Sequence, residues 1–250
     1  MDSRGLALES ARILTKKDGV HSITRRIGEV KITDVRLSET AARCMGRRAG
    51  RYISLHGEPH AAGMTALLCR AISQLIPPRG RLFTAGLGNP DITQDSLGAA
   101  CVRTLTARRG ARYSLAAVET DVAAKTGLDT ARLVRAAARE LKADCVIAID
   151  ALSCQDPRYI GKTVQISSSG LVPGSGTGLR GSELSEELLG CPVAAVGVPT
   201  VTQLSSITHS SADKNFLVSV PDIDIIIGMW AEVIGGALDL LVGGKGAASS

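Results

Sequence analysis

Cys145-Val-Ile-Ala-Ile149 is an unbroken apolar run closed by an aspartate, Asp150. A strand without polar alternation has to be covered on both faces, which is the condition of a parallel sheet between two layers of helices. Six further runs suit strands: 30–35, 52–55, 81–86, 113–118, 163–167 and 193–198. Helical spacing falls between them. Residues 61–76 place Met64, Leu67, Leu68, Ala71 and Leu75 on one face; residues 93–109 follow Thr93 as N-cap; residues 129–141 start at Asp129 or Thr130; a last helix begins near Pro221. Strand, helix, strand around a two-sided apolar centre predicts an α/β fold with a doubly wound, mainly parallel sheet and helices on both faces, of the phosphorylase/hydrolase-like kind.

With aromatics at only 2% of the 250 residues, the core must be built from Ala, Val, Ile and Leu. That length suits one large domain spanning 1–250, with residues 1–20 as an N-terminal extension and 243–250 as a flexible tail. The opening residues contain no apolar stretch of the secretory kind. The most apolar segment, Ile223 to Val242, is interrupted by Asp224, Glu232 and Asp239, which suits a helix with one buried face better than a membrane span. Six cysteines show neither a CxxC pair nor Cys/His ligand spacing, so no metal is expected and a reducing cytoplasm fits them. Arginines cluster at 25–26, 47–51 and 103–112, but a net charge of +5 with so few aromatics points to solvated helix faces and no direct nucleic-acid contact.

Open α/β sheets bind ligands beyond the carboxyl ends of their strands, near a switch in strand order. Three stretches are placed to do so. In Leu82–Gly98 a strand enters the turn Gly86-Leu-Gly-Asn-Pro90, and Asp95 falls in the first helical turn after Thr93. A carboxylate there is also explained by the free N–H groups of a helix start. In Asp144–Ser153, Asp150 ends the apolar strand, where a buried carboxylate is costly without partners and either caps a turn or serves chemistry. Gln165–Gly178 is rich in glycine and hydroxyls, and either offers N–H groups to an anion or a peptide carbonyl or forms tight turns.

These stretches stand among a larger ordered set: Gly46-Arg-Arg-Ala-Gly-Arg-Tyr-Ile-Ser-Leu55, Gly86-Leu-Gly-Asn89, Ile92-Thr-Gln-Asp-Ser-Leu-Gly98, Thr126-Gly-Leu-Asp-Thr130, Ala143-Asp-Cys-Val-Ile-Ala-Ile-Asp-Ala-Leu152, Thr163-Val-Gln-Ile-Ser167, Leu184-Ser-Glu-Glu-Leu-Leu-Gly-Cys-Pro-Val193, Gly197-Val-Pro-Thr-Val201 and Ala231-Glu-Val-Ile-Gly-Gly-Ala-Leu238. In this order, over nearly the whole chain, they resemble the bacterial spore germination protease family in a short form. The resemblance implies an endopeptidase that degrades small acid-soluble spore proteins during germination, an atypical aspartic protease with Asp95 and Asp150 as its carboxylates. It further implies substrate-holding roles for Gly86, Gly88, Asn89, Gln165, Ser167, Gly174, Ser175 and Gly176, no cofactor, a homo-oligomer of tetrameric type and a place in the forespore or spore core. Two adjoining carboxyl groups do not both ionise cheaply, so one keeps a proton while the other takes one from water.

The departures concern the surroundings of these residues. Gln94 and Ala99 stand where the family has prolines, and only Arg180 remains of the basic stretch after the glycine-rich loop. Family members are zymogens that cut themselves between an Asp and the Leu of an L-A-x-E motif. Here Leu6-Ala-Leu-Glu9 is present within the 1–20 extension, a candidate short pro-segment, but Gly5 holds the Asp position, which argues against that route. The long insertion before the last helix is missing. Other readings are a non-catalytic relative that binds spore proteins, and a metal-dependent maturation protease of similar fold. The latter needs ligands such as His56 and His60, which Pro59 keeps off a shared helix face. A peptidyl-tRNA hydrolase, suggested by Gly86–Pro90 alone, has no support further along the chain.

Overall fold

The computed structural model describes residues 5–11, 19–173, 182–213 and 216–243. Its strands are β1 (Val20–Ile27), β2 (Val30–Leu37), β3 (Gly50–His56), β4 (Gly80–Gly86), β5 (Arg108–Arg109), β6 (Tyr113–Glu119), β7 (Cys145–Cys154), β8 (Thr163–Ser167), β9 (Val193–Gln203) and β10 (Leu217–Val218). The helices are α1 (Ala7–Ala11), α2 (Glu39–Cys44), α3 (Met64–Ser73), α4 (Leu97–Thr104), α5 (Ala123–Thr126), α6 (Thr130–Glu140), α7 (Glu186–Leu189), α8 (Ser205–Thr208) and α9 (Ile223–Gly243).

One sheet runs in the order β1-β2-β3-β8-β9-β7-β4-β6-β5, and β10 pairs with the far end of β9. Its centre, β9-β7-β4-β6, is parallel, while β1, β2, β3 and β8 extend it as antiparallel strands on one side and β5 does so on the other. The α/β architecture with helices on both faces is therefore built around the apolar run. Cys145, Ile147 and Ile149 face a cluster that includes residues of α3, α4 and α9. Val146 and Ala148 face a second cluster, with Ala131, Val134 and Ala138 of α6 and Leu189 of α7. Alternation of side chains along one strand thus supplies both layers.

The helices follow their apolar spacing. In α6, Ala131, Val134 and Ala138 form the buried stripe, and the Asp129 side chain caps the start by accepting the Arg132 N–H at 2.9 Å. In α9, Ile227, Trp230, Ile234, Leu238 and Leu241 are buried, and the Trp230 indole donates to the Gly161 carbonyl at 2.7 Å. The helix is long and apolar enough to cross a membrane, but it packs against α3, α4 and the sheet as a core helix.

Three local expectations change, and a fourth is not reached. β7 does not stop at Asp150; it continues to Cys154, so Asp150 lies within the strand. Thr93 is not an N-cap: Thr93–Asp95 is a separate 3-10 turn, and α4 starts only at Leu97. The extension expected at residues 1–20 is in part structural, because Leu6 and Ala7 are fully buried and α1 lies against β2 and β3. The expected tail falls almost entirely outside the described residues, α9 ending at Gly243.

Ile147→Ala removes a fully buried side chain from the centre of the sheet and should cost about 2–5 kcal/mol in urea unfolding. Leu133→Ala, on the exposed side of α6, should stay within about 0.5 kcal/mol. Equal costs would place the core elsewhere.

Candidate active site

From β4 the chain goes to β6 on one side, and it returns through α6 to β7 on the other side of β4. The switch in strand order therefore lies between β4 and β7, and their carboxyl ends are the expected place for a site. The β4–β7 pairing ends at Gly86↔Ile149, and the next N–H, that of Leu87, donates to the Ile149 carbonyl at 2.8 Å. Asp150 follows immediately.

Asp95 reaches the same place from the other chain segment. Its carboxylate accepts the Asn89 N–H at 2.7 Å, three residues beyond the end of β4. Glycine makes the approach feasible. A Cβ at Gly86 would collide with the Gly98 carbonyl, and one at Gly98 with the Leu87 backbone, so α4 meets the strand end backbone to backbone. Gly88 has φ of 102° and sits against the Asp95 carbonyl, a position that an L side chain fits neither by torsion nor by space. The 3-10 turn is also tied to β9, since the Thr200 hydroxyl donates to the Gln94 carbonyl at 2.6 Å.

Both aspartates are buried, Asp95 at 7% exposure and Asp150 at 1%. Burial raises the Asp95 carboxyl above its ordinary value; the Asn89 N–H opposes this, and the charge of Asp121 adds to it. One Asp150 oxygen accepts the Ala151 N–H at 3.0 Å. Two cavities share Leu152 as a wall; Asp95 lines the first, and Asp150 lines neither. One, of about 240 Å³, is lined by Ile92, Gln94, Asp95, Ala151, Thr200 and Ser219 among others. The other, of about 340 Å³, includes Tyr52, Ser153, Gln165, Ser167, Ser169 and Gly197 in its lining.

Cross-strand register explains the second cavity. Asp150 is opposite Gly197, and Gly197 is opposite Gln165, so the three share one sheet face with only a glycine in the middle. Gln165 is engaged by the chain itself, its carbonyl oxygen accepting the Ala7 N–H at 2.8 Å. The same N-terminal segment is held by Glu9, whose carboxylate accepts N–H groups from Leu6, Gln155 and Asp156 at 2.6, 3.0 and 2.8 Å, and by Arg47, which donates to the Gly5 carbonyl. Sequence reasoning assigned Glu9 no role in the fold; its place in a helix of five residues gave no signal of these distant N–H partners.

Of the expected site residues, Asp95, Gly86, Gly88 and Asn89 come together beyond the end of β4, Asp150 follows the last residue of the β4–β7 pairing, and Gln165 and Ser167 line the cavity that includes Leu152 and Gly197. Gly86 and Gly88 have packing reasons for being glycine. Gly174, Ser175 and Gly176 lie outside the described residues. His56 bonds Thr163 at 2.9 Å in β3, His60 is exposed, and among the described residues no three His, Cys, Asp or Glu side chains converge as a metal site would require.

A family model described as germination protease matches residues 7–219 of this chain. The chain belongs to the germination protease family. This is a family of peptidases, and individual members agree along most of the chain. The germination protease of Clostridium tetani is 28% identical over 234 residues, covering 83% of this chain and 72% of its own. That of Priestia megaterium is 32% identical over 74% of this chain and 56% of its own, and that of Caldanaerobacter subterraneus is 31% identical over 83% and 71%. The chain thus spans between about half and three quarters of the length of these germination proteases. Among solved structures, a NiFe hydrogenase maturation protease from Thermococcus kodakarensis aligns over 68% of this chain and 99% of its own, with 16% identity and a TM-score of 0.40.

The raised Asp95 value fixes a sign. Its folded pKa is above that of the unfolded chain, so its contribution to stability is present at low pH and is lost as pH rises through the folded value. Asp95→Asn keeps an acceptor for the Asn89 N–H and removes the titration. In urea unfolding at a series of pH values, the variant should gain on the parent as pH rises from the ordinary carboxylate range towards neutrality. A variant that instead loses ground with rising pH would mean that Asp95 is stabilised as a charge.

Proposed function

We propose that this chain is a spore germination endopeptidase that cuts small acid-soluble spore proteins in the spore core, using Asp95 and Asp150 to activate water. The observation that carries the reading is two buried carboxylates from separate chain segments at the switch point of the sheet. Membership of the germination protease family supplies the reaction class.

In this mechanism the pair holds one proton, assigned to Asp95, whose carboxyl burial raises above its ordinary value. Ionised Asp150 takes a proton from water as the water oxygen bonds to the peptide carbonyl carbon. Asp95 passes its proton to the carbonyl oxygen, giving a neutral gem-diol. Collapse returns a proton to Asp95, breaks the C–N bond and sends the other proton to the departing amine. In this reading an extended peptide lies in the groove past Leu152 and Gly197, where Gln165 and Ser167 offer polar groups.

The N-terminal segment accounts for a zymogen-like state. With Ala7 bonded to Gln165 and Gly5 on the wall of the groove, it occupies ground a substrate strand would need. Homo-oligomerisation belongs to the same proposal by family likeness.

The decisive assay incubates a small acid-soluble spore protein with the parent chain, with a form lacking residues 1–9, and with Asp95→Asn and Asp150→Asn versions of each. Discrete fragments are expected, more from the shortened form. Each aspartate variant should cut at least about a hundredfold more slowly while remaining folded. Cleavage by the folded variants at the parent's rate would overturn the mechanism. An inert parent and an inert shortened form that still bind the substrate would favour a non-catalytic binding protein.

A further inference from the structure

A third cavity, polar in its lining, lies apart from the aspartates, on the exposed wing of the sheet. It measures about 320 Å³, and its walls include Ser22, Thr24, Arg26, Lys31, Thr33 and Arg158, with Leu8, His56 and Tyr159 completing it. Register explains why these residues meet. Thr24 is opposite Thr33, Arg26 is opposite Lys31, and Lys31 is opposite His56 on β3. Directly opposed residues of adjacent antiparallel strands share a face, so the cations stand in one row and the hydroxyls in the next.

The positive charge in this cavity is not balanced by its own walls. No carboxylate lines it. Among the described residues Arg26 and Lys31 make no ion pair. Of the carboxylates near this wing, Asp156 pairs with Arg158 at 2.6 Å and Glu58 with Lys162 at 2.8 Å, while Glu29, in the β1–β2 turn, does not line the cavity. His56 is held below its ordinary value by burial first and then by Lys31, as expected where positive charge accumulates. Like charges directly opposed across strands destabilise a sheet, so the Arg26–Lys31 pair calls for a counter-charge from outside the protein.

We propose that this cavity binds a small anion of the phosphate class. Arg26 and Lys31 supply the unpaired charge, Arg158 stands on the wall already paired with Asp156, and the hydroxyls of Ser22 and of the Thr24–Thr33 pair, 3.3 Å apart, supply directional donors. The volume is that of a small-molecule site, and its concave form favours a compact anion over a long polymer. The site is separate from the peptidase chemistry: its cationic row lies on β1, β2 and β3, the strands furthest from β4 on that side of the sheet.

The test is calorimetric titration of the full chain with inorganic pyrophosphate and, separately, inorganic phosphate at low ionic strength. Arg26→Gln/Lys31→Gln removes the opposed cations. Arg25→Gln/Arg36→Gln removes the same charge from the other face of the same two strands, because Arg25 is opposite Ile32 and Arg36 is opposite His21. Saturable binding is expected in the parent. The first double variant should bind about tenfold or more weakly, and the second within about threefold of the parent, with both folded by circular dichroism. Thr24→Val/Thr33→Val, which keeps charge and strand propensity, should also weaken binding. No saturable binding to the parent, or equal losses in the two arginine-containing variants, would overturn the proposal.

Discussion

The contact on which the site depends is the bare-backbone approach of α4 to the end of β4. Gly86 and Gly98 leave no room for a side chain between strand and helix, and Gly88 turns the chain in a torsion reserved for glycine. With those three residues in place, the 3-10 turn before α4 is drawn over the strand end and Asp95 comes within reach of the Asn89 N–H. Any side chain there would lift the turn and part Asp95 from the strand that carries Asp150. The placement of Asp95 is thus set by glycines.

The parallel centre makes the opposite demand of its side chains. β7 fills both layers, and the cost of burying Asp150 in such a strand is large unless it is met by hydrogen bonds or repaid in function. Gly197, between Asp150 and Gln165 in register, makes room for the Leu152 side chain, which a Cβ there would meet at 2.5 Å. The N-terminal helix then crosses to Gln165, and Glu9 anchors it through three backbone N–H groups. Groove and N-terminal segment are therefore one mechanical unit.

How much of this was legible in the sequence follows from what burial writes into it. The run at Cys145–Ile149 foretold a two-faced strand, and the spacing of α6 and α9 was plain. The 3-10 turn was not, because Thr93 and Asp95 have the composition of an ordinary helix start. The continuation of β7 through Asp150 was hidden by the polar residue itself, which reads as a strand end. β1 escaped notice because seven of its eight residues are exposed, so neither an apolar period nor a buried run marks it. Asp95 and Asp150 were found by motif resemblance and by their positions near strand ends; the groove's link to Gln165 and Glu9 depends on partners about 150 residues apart, which spacing alone does not encode.

The central claim is that Asp95 and Asp150 act as one coupled carboxyl pair. Carbon-detected NMR titration of the aspartate carboxyl groups, in the parent and in Asp150→Asn, addresses it most directly. Coupling predicts an Asp95 titration above the ordinary aspartate range in the parent and a clear downward shift once Asp150 is neutral. An Asp95 that titrates at the same pH in both proteins would contradict the pair, leaving two separate buried carboxylates at the end of one sheet.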